Sequence, residues 1–224
     1  TEYIERPLLV RDERKFDIRQ WVLIRSLQPL LIYGFSEFYC RMSKRKYNLS
    51  PTHFGDPAMH LCNHAVQSVS SADGTEDRLS SSKREGHESG FMMSQWELEE
   101  HLQSLHSSVS LRRDVLPQIR QAAVDAVHSV TSCLSSVGRD SFEWLGLDLM
   151  ITEDLSVRLI EVNVSPDVSR STEITSRLVE TAVKGLLPIV LENAVPGEKE
   201  EQGPKWEQWY PNREFFSAEE DEKE

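Results

Sequence analysis

Apolar and polar residues alternate with period two through KFDIRQWVLIR, residues 15–25, and that period predicts a β-strand. Phe16, Ile18, Val22 and Ile24 fall on one face, while Lys15, Asp17, Arg19, Trp21, Leu23 and Arg25 fall on the other, so charge lines one side of the strand. Leu27, Gln28 and Pro29 make a turn, after which LLIYGF and FYCRM read as a further pair of strands bent near Gly34. Strand signals thus dominate the first sixty residues. Far along the chain, Leu145 to Pro166 reads LGLDLMITEDLSVRLIEVNVSP, two apolar strands joined by a short polar turn.

Elsewhere the period is helical. Ser94-x-x-Glu97 is a capping box that opens a helix through about Leu105. From Asp114, with Pro117 in the first turn, apolar residues at Leu116, Ile119, Ala123, Ala126, Val127, Val130 and Leu134 keep three-and-four spacing until Gly138 stops them. Ser171 or Thr172 caps a last amphipathic helix through Ile174, Leu178, Ala182 and Leu186, which Gly185 and Pro188 are expected to kink or shorten. Residues 68–90 are rich in Ser, Gly and charge and read as a flexible insertion. Beyond Ala194 the chain turns acidic, interrupted by Trp206, Trp209, Tyr210, Phe215 and Phe216, aromatics that dock on the body or a partner unless the tail is loosely ordered. The organisation expected is an α+β domain over 1–193, carrying the insertion at 68–90, and a loosely ordered acidic tail over 194–224.

Composition narrows the function. The 224 residues can bury a real core as one large domain or two small ones, and no apolar run spans a bilayer, so no membrane insertion is expected. The opening Thr-Glu-Tyr-Ile-Glu-Arg is neither a signal peptide nor a start at Met, and the chain is expected to begin inside a fold that upstream sequence completes. Three cysteines, Cys40, Cys62 and Cys133, form no CxxC spacing and point to a reducing, cytoplasmic setting. The net charge of -12 is uneven: ten acidic against four basic residues follow Gly197, whereas residues 1–60 hold ten basic against seven acidic. An acidic chain rarely binds nucleic acid nonspecifically, but a local basic surface accepts phosphates or an acidic peptide. The basic run Arg41, Lys44, Arg45 and Lys46 could attract such a peptide, although a solvated strand end explains it as well.

The strongest chemical signal is the second hairpin. Glu161 and Asn163, two apart on a strand, share one face, and an antiparallel partner can bring Asp148 onto it. Three oxygen donors of this kind suit Mg²⁺, which is usually held by one or two carboxylates plus substrate phosphates. The alternative is a hairpin whose acidic residues face water. The run Leu159, Ile160, Val162 and Val164 around Glu161 argues for burial, where a carboxylate needs a cation or hydrogen bonds. His53, His60, Cys62 and His64 cluster within twelve residues but fit no closed tetrahedral zinc spacing.

Five ordered segments, YIERPLL, KFDIRQWVLI, FYCRMS, HLCNHAVQ and FEWLGLDLMITEDLSVRLIEVNVSP, resemble the tubulin tyrosine ligase-like family, whose fold is an ATP-grasp, an antiparallel sheet flanked by helices. KFDIRQW, HLCN and SRSTEITSRL look most like the glycylating branch. The resemblance implies that Tyr3 and Ile4 form the linker holding adenine, that Lys15, Asp17 and Asn63 lie at the nucleotide, and that Arg19 and Arg41 face the phosphates. It implies Asp148, Glu161 and Asn163 as Mg²⁺ ligands, with ATP consumed. The implied activity is amide formation between glycine and glutamate side chains of the tubulin C-terminal tail through an acylphosphate, on microtubules of the cytoskeleton, in a cilium or flagellum. Rival readings are addition of glutamate or tyrosine, a noncatalytic microtubule-binding pseudoenzyme, and an ATP-grasp enzyme acting on a small carboxylic acid. The glycine-rich loop and lysines that precede the linker in the family are absent, so the N-terminal lobe is expected to be missing and this stretch alone to be inactive.

Overall fold

The structure, a computed structural model, describes residues 3–62, 91–105, 107–133, 141–191 and 203–211. The alternating segment forms a long strand, β2, at Arg14–Leu27, and the sheet is arranged around it. On one edge β3 (Leu30–Phe35) pairs with its second half and β4 (Tyr39–Lys46) with its first, both antiparallel. Along the other edge lie the short β1 (Leu9–Val10) and the antiparallel β6 (Glu143–Ile151), with β7 (Val157–Asn163) outside β6. β5 (Met92–Ser94) extends the sheet beside β4, and β8 (Trp206–Tyr210) beside β3. Among the described residues the result is an eight-stranded antiparallel sheet flanked by helices, the α+β architecture that the resemblance implies.

The two faces of β2 have different fates. Phe16, Ile18, Val22 and Ile24 enter a core with Leu98 and Leu102 of α2 (Gln95–Leu105) and Ile119, Ala123 and Val127 of α3 (Leu116–Val130), following a four-residue α1 at Pro57–His60. On the opposite face, Trp21 and Leu23 pack with Phe35 and Tyr39 under Leu178, Val179, Ala182 and Leu186 of α4 (Glu173–Val190). Burying each such side chain contributes roughly 2 kcal/mol. Helix α4 covers only the second half of that face; the first half carries Lys15, Asp17 and Arg19, buried but polar. Among the described residues no helix is long and apolar enough to cross a membrane.

Helix ends follow the capping chemistry. The Ser94 amide donates to the Glu97 carboxylate at 2.7 Å, and the Glu97 amide donates back to Ser94 Oγ at 3.3 Å. Thr172, one of the two expected caps, exchanges hydrogen bonds with Thr175 to start α4. Pro188 does not shorten that helix, which runs through Gly185 to Val190. Its last turn is held from outside: Arg25 donates to the carbonyls of Ile189 at 3.1 Å and Val190 at 3.2 Å, filling acceptors that a helix end leaves open. The expected stop of α3 at Gly138 and the flexible insertion at 68–90 lie outside the described residues.

Within the span read as a loosely ordered tail, Trp206–Tyr210 is instead a sheet strand. The cause is aromatic packing: Trp206 and Trp209 are buried, and Trp206 Nε1 donates to the Ala182 carbonyl at 2.9 Å. Trp209 also explains Gly34. A Cβ at Gly34 would stand 2.0 Å from the indole ring, so the glycine answers a close approach rather than a bend. Gly34→Ala is therefore expected to lower the free energy of unfolding by about 2 kcal/mol. Urea denaturation should also show its cost and that of Trp209→Ala to be less than additive. A neutral Gly34→Ala would contradict the contact.

Candidate active site

Strand register assembles the site. On the polar half-face of β2, Asp17 stands opposite Arg41 of β4, and Arg19 stands opposite Asp148 of β6. One strand further out, Glu161 of β7 stands opposite Asp148, and Asn163 opposite Gly146. Side chains from four adjacent strands thus converge on one corner of the sheet.

The contacts form a continuous buried chain of charge. Arg41 donates Nε to Asp17 Oδ1 at 2.7 Å and Nη2 to Oδ2 at 2.9 Å, and the same Nη2 lies 2.8 Å from Asp148 Oδ2. Arg19 completes the chain, donating Nε to Asp148 Oδ1 at 2.6 Å and Nη2 to Oδ2 at 3.2 Å. Both pairs are bidentate, the geometry in which arginine holds a carboxylate most firmly. The two carboxylates that share Arg41 are nevertheless pushed in opposite directions. Burial dominates at Asp17 and raises its pKa despite Arg41, with the Asp148 charge adding to the rise. At Asp148 burial also works upward, but Arg19 and Arg41 together outweigh it and hold the carboxyl below its usual range. Arg41 stays fully cationic, since its two carboxylates more than offset the burial.

Asn163 ties the corner to the hairpin. Its Nδ2 donates to Glu161 Oε1 at 3.2 Å and to Asp148 Oδ2 at 3.4 Å. The three residues expected to bind metal are thereby brought together. An amide turned through 180° presents oxygen where nitrogen stood, so Asp148, Glu161 and Asn163 can offer an all-oxygen donor set of the kind Mg²⁺ takes. The surroundings differ from expectation in one respect: Glu161 is exposed, and so are Leu159, Ile160, Val162 and Val164. Among the described residues β7 pairs with β6 alone, which leaves its outer edge open.

A cleft of about 1210 Å³ adjoins this corner. Tyr3, Ile4, Lys15 and Asp17, four of the residues expected at the nucleotide, line it together with Met150, Arg158, Leu159 and Ile160 of the β6–β7 hairpin. The segment bearing Tyr3 and Ile4 is fastened to that hairpin by the Leu8 amide on the Ile151 carbonyl at 2.8 Å and by a bridge between Pro7 and Thr152. Lys15 is held in the wall by tyrosines. Its Nζ donates to the Tyr3 hydroxyl at 3.2 Å and lies 4.4 Å from the Tyr3 ring centre and 5.8 Å from that of Tyr47. Asn63, also expected at the nucleotide, lies outside the described residues.

Sequence reasoning missed Met150, Arg158 and Tyr47. Met150 had a readable signal, because it shares the period-two face of Asp148; Tyr47 had none. The zinc-like cluster does not gather: His60 spends Nδ1 on the Tyr3 hydroxyl at 2.7 Å and Nε2 on the His53 carbonyl, while Cys62 donates to the Lys15 carbonyl. Among the described residues no three His, Cys, Asp or Glu side chains are grouped to hold a metal, and His64 lies outside them. The basic run is also largely engaged, with Arg41 in the buried chain, Arg45 on Asp56 at 2.9 Å and Lys46 near Glu13 at 3.7 Å.

Comparison with known proteins places the chain among relatives of one kind. The chain is 33% identical over 191 residues to tubulin monoglycylase TTLL3 of Danio rerio, covering 85% of this chain and 23% of that protein. It is 30% identical to tubulin glycylase 3A of Drosophila melanogaster, covering 85% and 18%, and 32% identical to tubulin glycylase 3D of Tetrahymena thermophila, covering 85% and 17%. The chain thus spans about a fifth of the length of these relatives. Residues 1–202 match the model of the tubulin-tyrosine ligase family, and the chain belongs to that family.

Proposed function

We propose that the protein is an ATP-dependent ligase that joins glycine to glutamate side chains of the tubulin C-terminal tail. The observation that carries this reading is the meeting of the buried chain Asp17, Arg41, Asp148 and Arg19 with the cleft, through Asp17, which belongs to both. Such a junction suits a nucleotide whose base lies among Ile4, Met150, Leu159 and Ile160 and whose phosphates reach the arginines. Family membership and the glycylase relatives support the choice of tubulin and glycine.

The chemistry assigned to the corner is phosphoryl transfer followed by amide formation. A glutamate carboxylate oxygen of the acceptor attacks the γ-phosphorus of ATP, the bond to the bridging oxygen breaks, and ADP leaves with that electron pair. The amine of glycine then attacks the acylphosphate carbonyl; phosphate departs with the C–O electrons and the amine loses a proton. Bound at Asp148, Glu161 and Asn163, Mg²⁺ would neutralise charge on the transferring phosphoryl group. Arg19 and Arg41 hold the phosphates and reacting carboxylate in line, so the protein contributes positioning and fixed charge rather than a nucleophile. The acidic acceptor and the cytoskeletal setting follow from tubulin as substrate, and the resemblance to the glycylating branch is what suggests a cilium or flagellum.

Two measurements test this. The full-length protein, incubated with tubulin, MgATP and each of labelled glycine, glutamate and tyrosine, is expected to incorporate glycine; incorporation of glutamate alone would sink the choice of amino acid, and failure to bind MgATP would favour a noncatalytic microtubule binder. Glu161→Gln is expected to reduce incorporation by about a hundredfold while leaving circular dichroism and the melting temperature unchanged, since Glu161 is exposed and makes no buried ion pair. Retained activity would refute its role as a metal ligand.

A further inference from the structure

We infer that Gly146 is a positioning residue for Arg19, setting the angle at which the guanidinium meets Asp148. The inference rests on the reading of this corner as a phosphoryl-transfer site. Gly146 lies two residues before Asp148 on β6, hence on the same face, with Trp21 as its register partner on one side and Asn163 on the other. A Cβ built there would stand 3.2 Å from Arg19 Cδ, 3.4 Å from Arg19 Nε and 2.8 Å from Pro166 Cβ. The space a side chain would fill is therefore taken by the arginine stem and by the proline ring. Gly146 has no left-handed backbone to explain it, so room rather than conformation is what this position supplies.

That room has a chemical consequence. Arg19 begins directly across from Asp148, and its Cδ and Nε lie beside Gly146. By folding its stem over the bare backbone of Gly146, it brings Nε and Nη2 onto the two carboxylate oxygens at 2.6 and 3.2 Å. Pro166, three residues past Asn163, closes the same space, so the exit of the metal-bearing strand and the pose of the arginine are fixed together. A methyl group at position 146 meets Pro166 first, at 2.8 Å, and also presses on Arg19 Cδ at 3.2 Å, turning the guanidinium away from its two-point contact with Asp148.

The test is a double-mutant cycle in the full-length protein, reading affinity for magnesium with the non-hydrolysable imido analogue of ATP, alongside the melting temperature. Gly146→Ala is expected to weaken that affinity about tenfold in the unmutated background and less than about twofold in Arg19→Ala, because the residue it acts through is gone. A purely structural role would lower the melting temperature in both backgrounds and show no such coupling in affinity. Additive losses of affinity, or an unchanged affinity in Gly146→Ala, would overturn the inference alone. Absence of binding by the unmutated protein would overturn it together with the functional reading beneath it. Should Pro166 prevent Gly146→Ala from folding, the cycle is run in Pro166→Gly, where Arg19 is the neighbour left to meet the methyl, and the same outcomes decide.

Discussion

The buried alternation of charge from Asp17 through Arg41 and Asp148 to Arg19 is the constraint on which the rest of the site depends. Buried carboxylates and guanidinium groups lose hydration that only good geometry restores, and removing one partner of such a pair typically costs about 3–5 kcal/mol. Each arginine here meets a carboxylate through two nitrogens, and Asp148 is shared between both. The sheet register is what makes this possible, because Asp17 and Arg41, and Arg19 and Asp148, are direct cross-strand partners. A slip of one residue in either pairing would turn one member of that pair to the opposite face. The charge chain and the register therefore specify one another.

The chain is also unbalanced in a way that suits its proposed ligands. Lys15, Arg19 and Arg41 bring three positive charges against the two carboxylates of Asp17 and Asp148, with Glu161 exposed at the rim. Polyphosphate brings anionic oxygens to the arginines, and a divalent cation brings positive charge to the carboxylates and Glu161. Each ligand compensates what the other displaces, so the corner is suited to receiving the two as a pair. The opposite shifts of Asp17 and Asp148 belong to the same picture: the carboxylate gripped by two arginines stays ionised, while at Asp17, gripped by Arg41 alone, burial prevails and raises the affinity for a proton.

Much of this was legible in the sequence because period-two alternation survives folding intact. KFDIRQWVLIR separated the core positions Phe16, Ile18, Val22 and Ile24 from the polar line correctly, and the spacing of Glu161 and Asn163 placed them on one face with Asp148. The resemblance implies roles but not contacts: nothing local indicates that Arg41 grips Asp17, since that pairing is made by register across twenty-four positions. The burial expected for Glu161 failed because hydrophobicity of neighbours says nothing about whether a strand lies inside or at the edge of a sheet. The run of α4 past Pro188, and the choice between docked aromatics and a loose tail, lay beyond the sequence for a related reason. Arg25 and Trp206, distant in sequence, supply tertiary contacts that composition does not reveal.

The most direct test of the account is a crystal structure of the full-length protein with manganese and a non-hydrolysable ATP analogue, with the metal located by its anomalous signal. The account predicts a peak bounded by Asp148, Glu161 and Asn163, the base in the cleft beside Ile4 and Met150, and phosphates within hydrogen-bonding distance of Arg19 or Arg41. A metal bound elsewhere, or a nucleotide seated away from these residues, would contradict it.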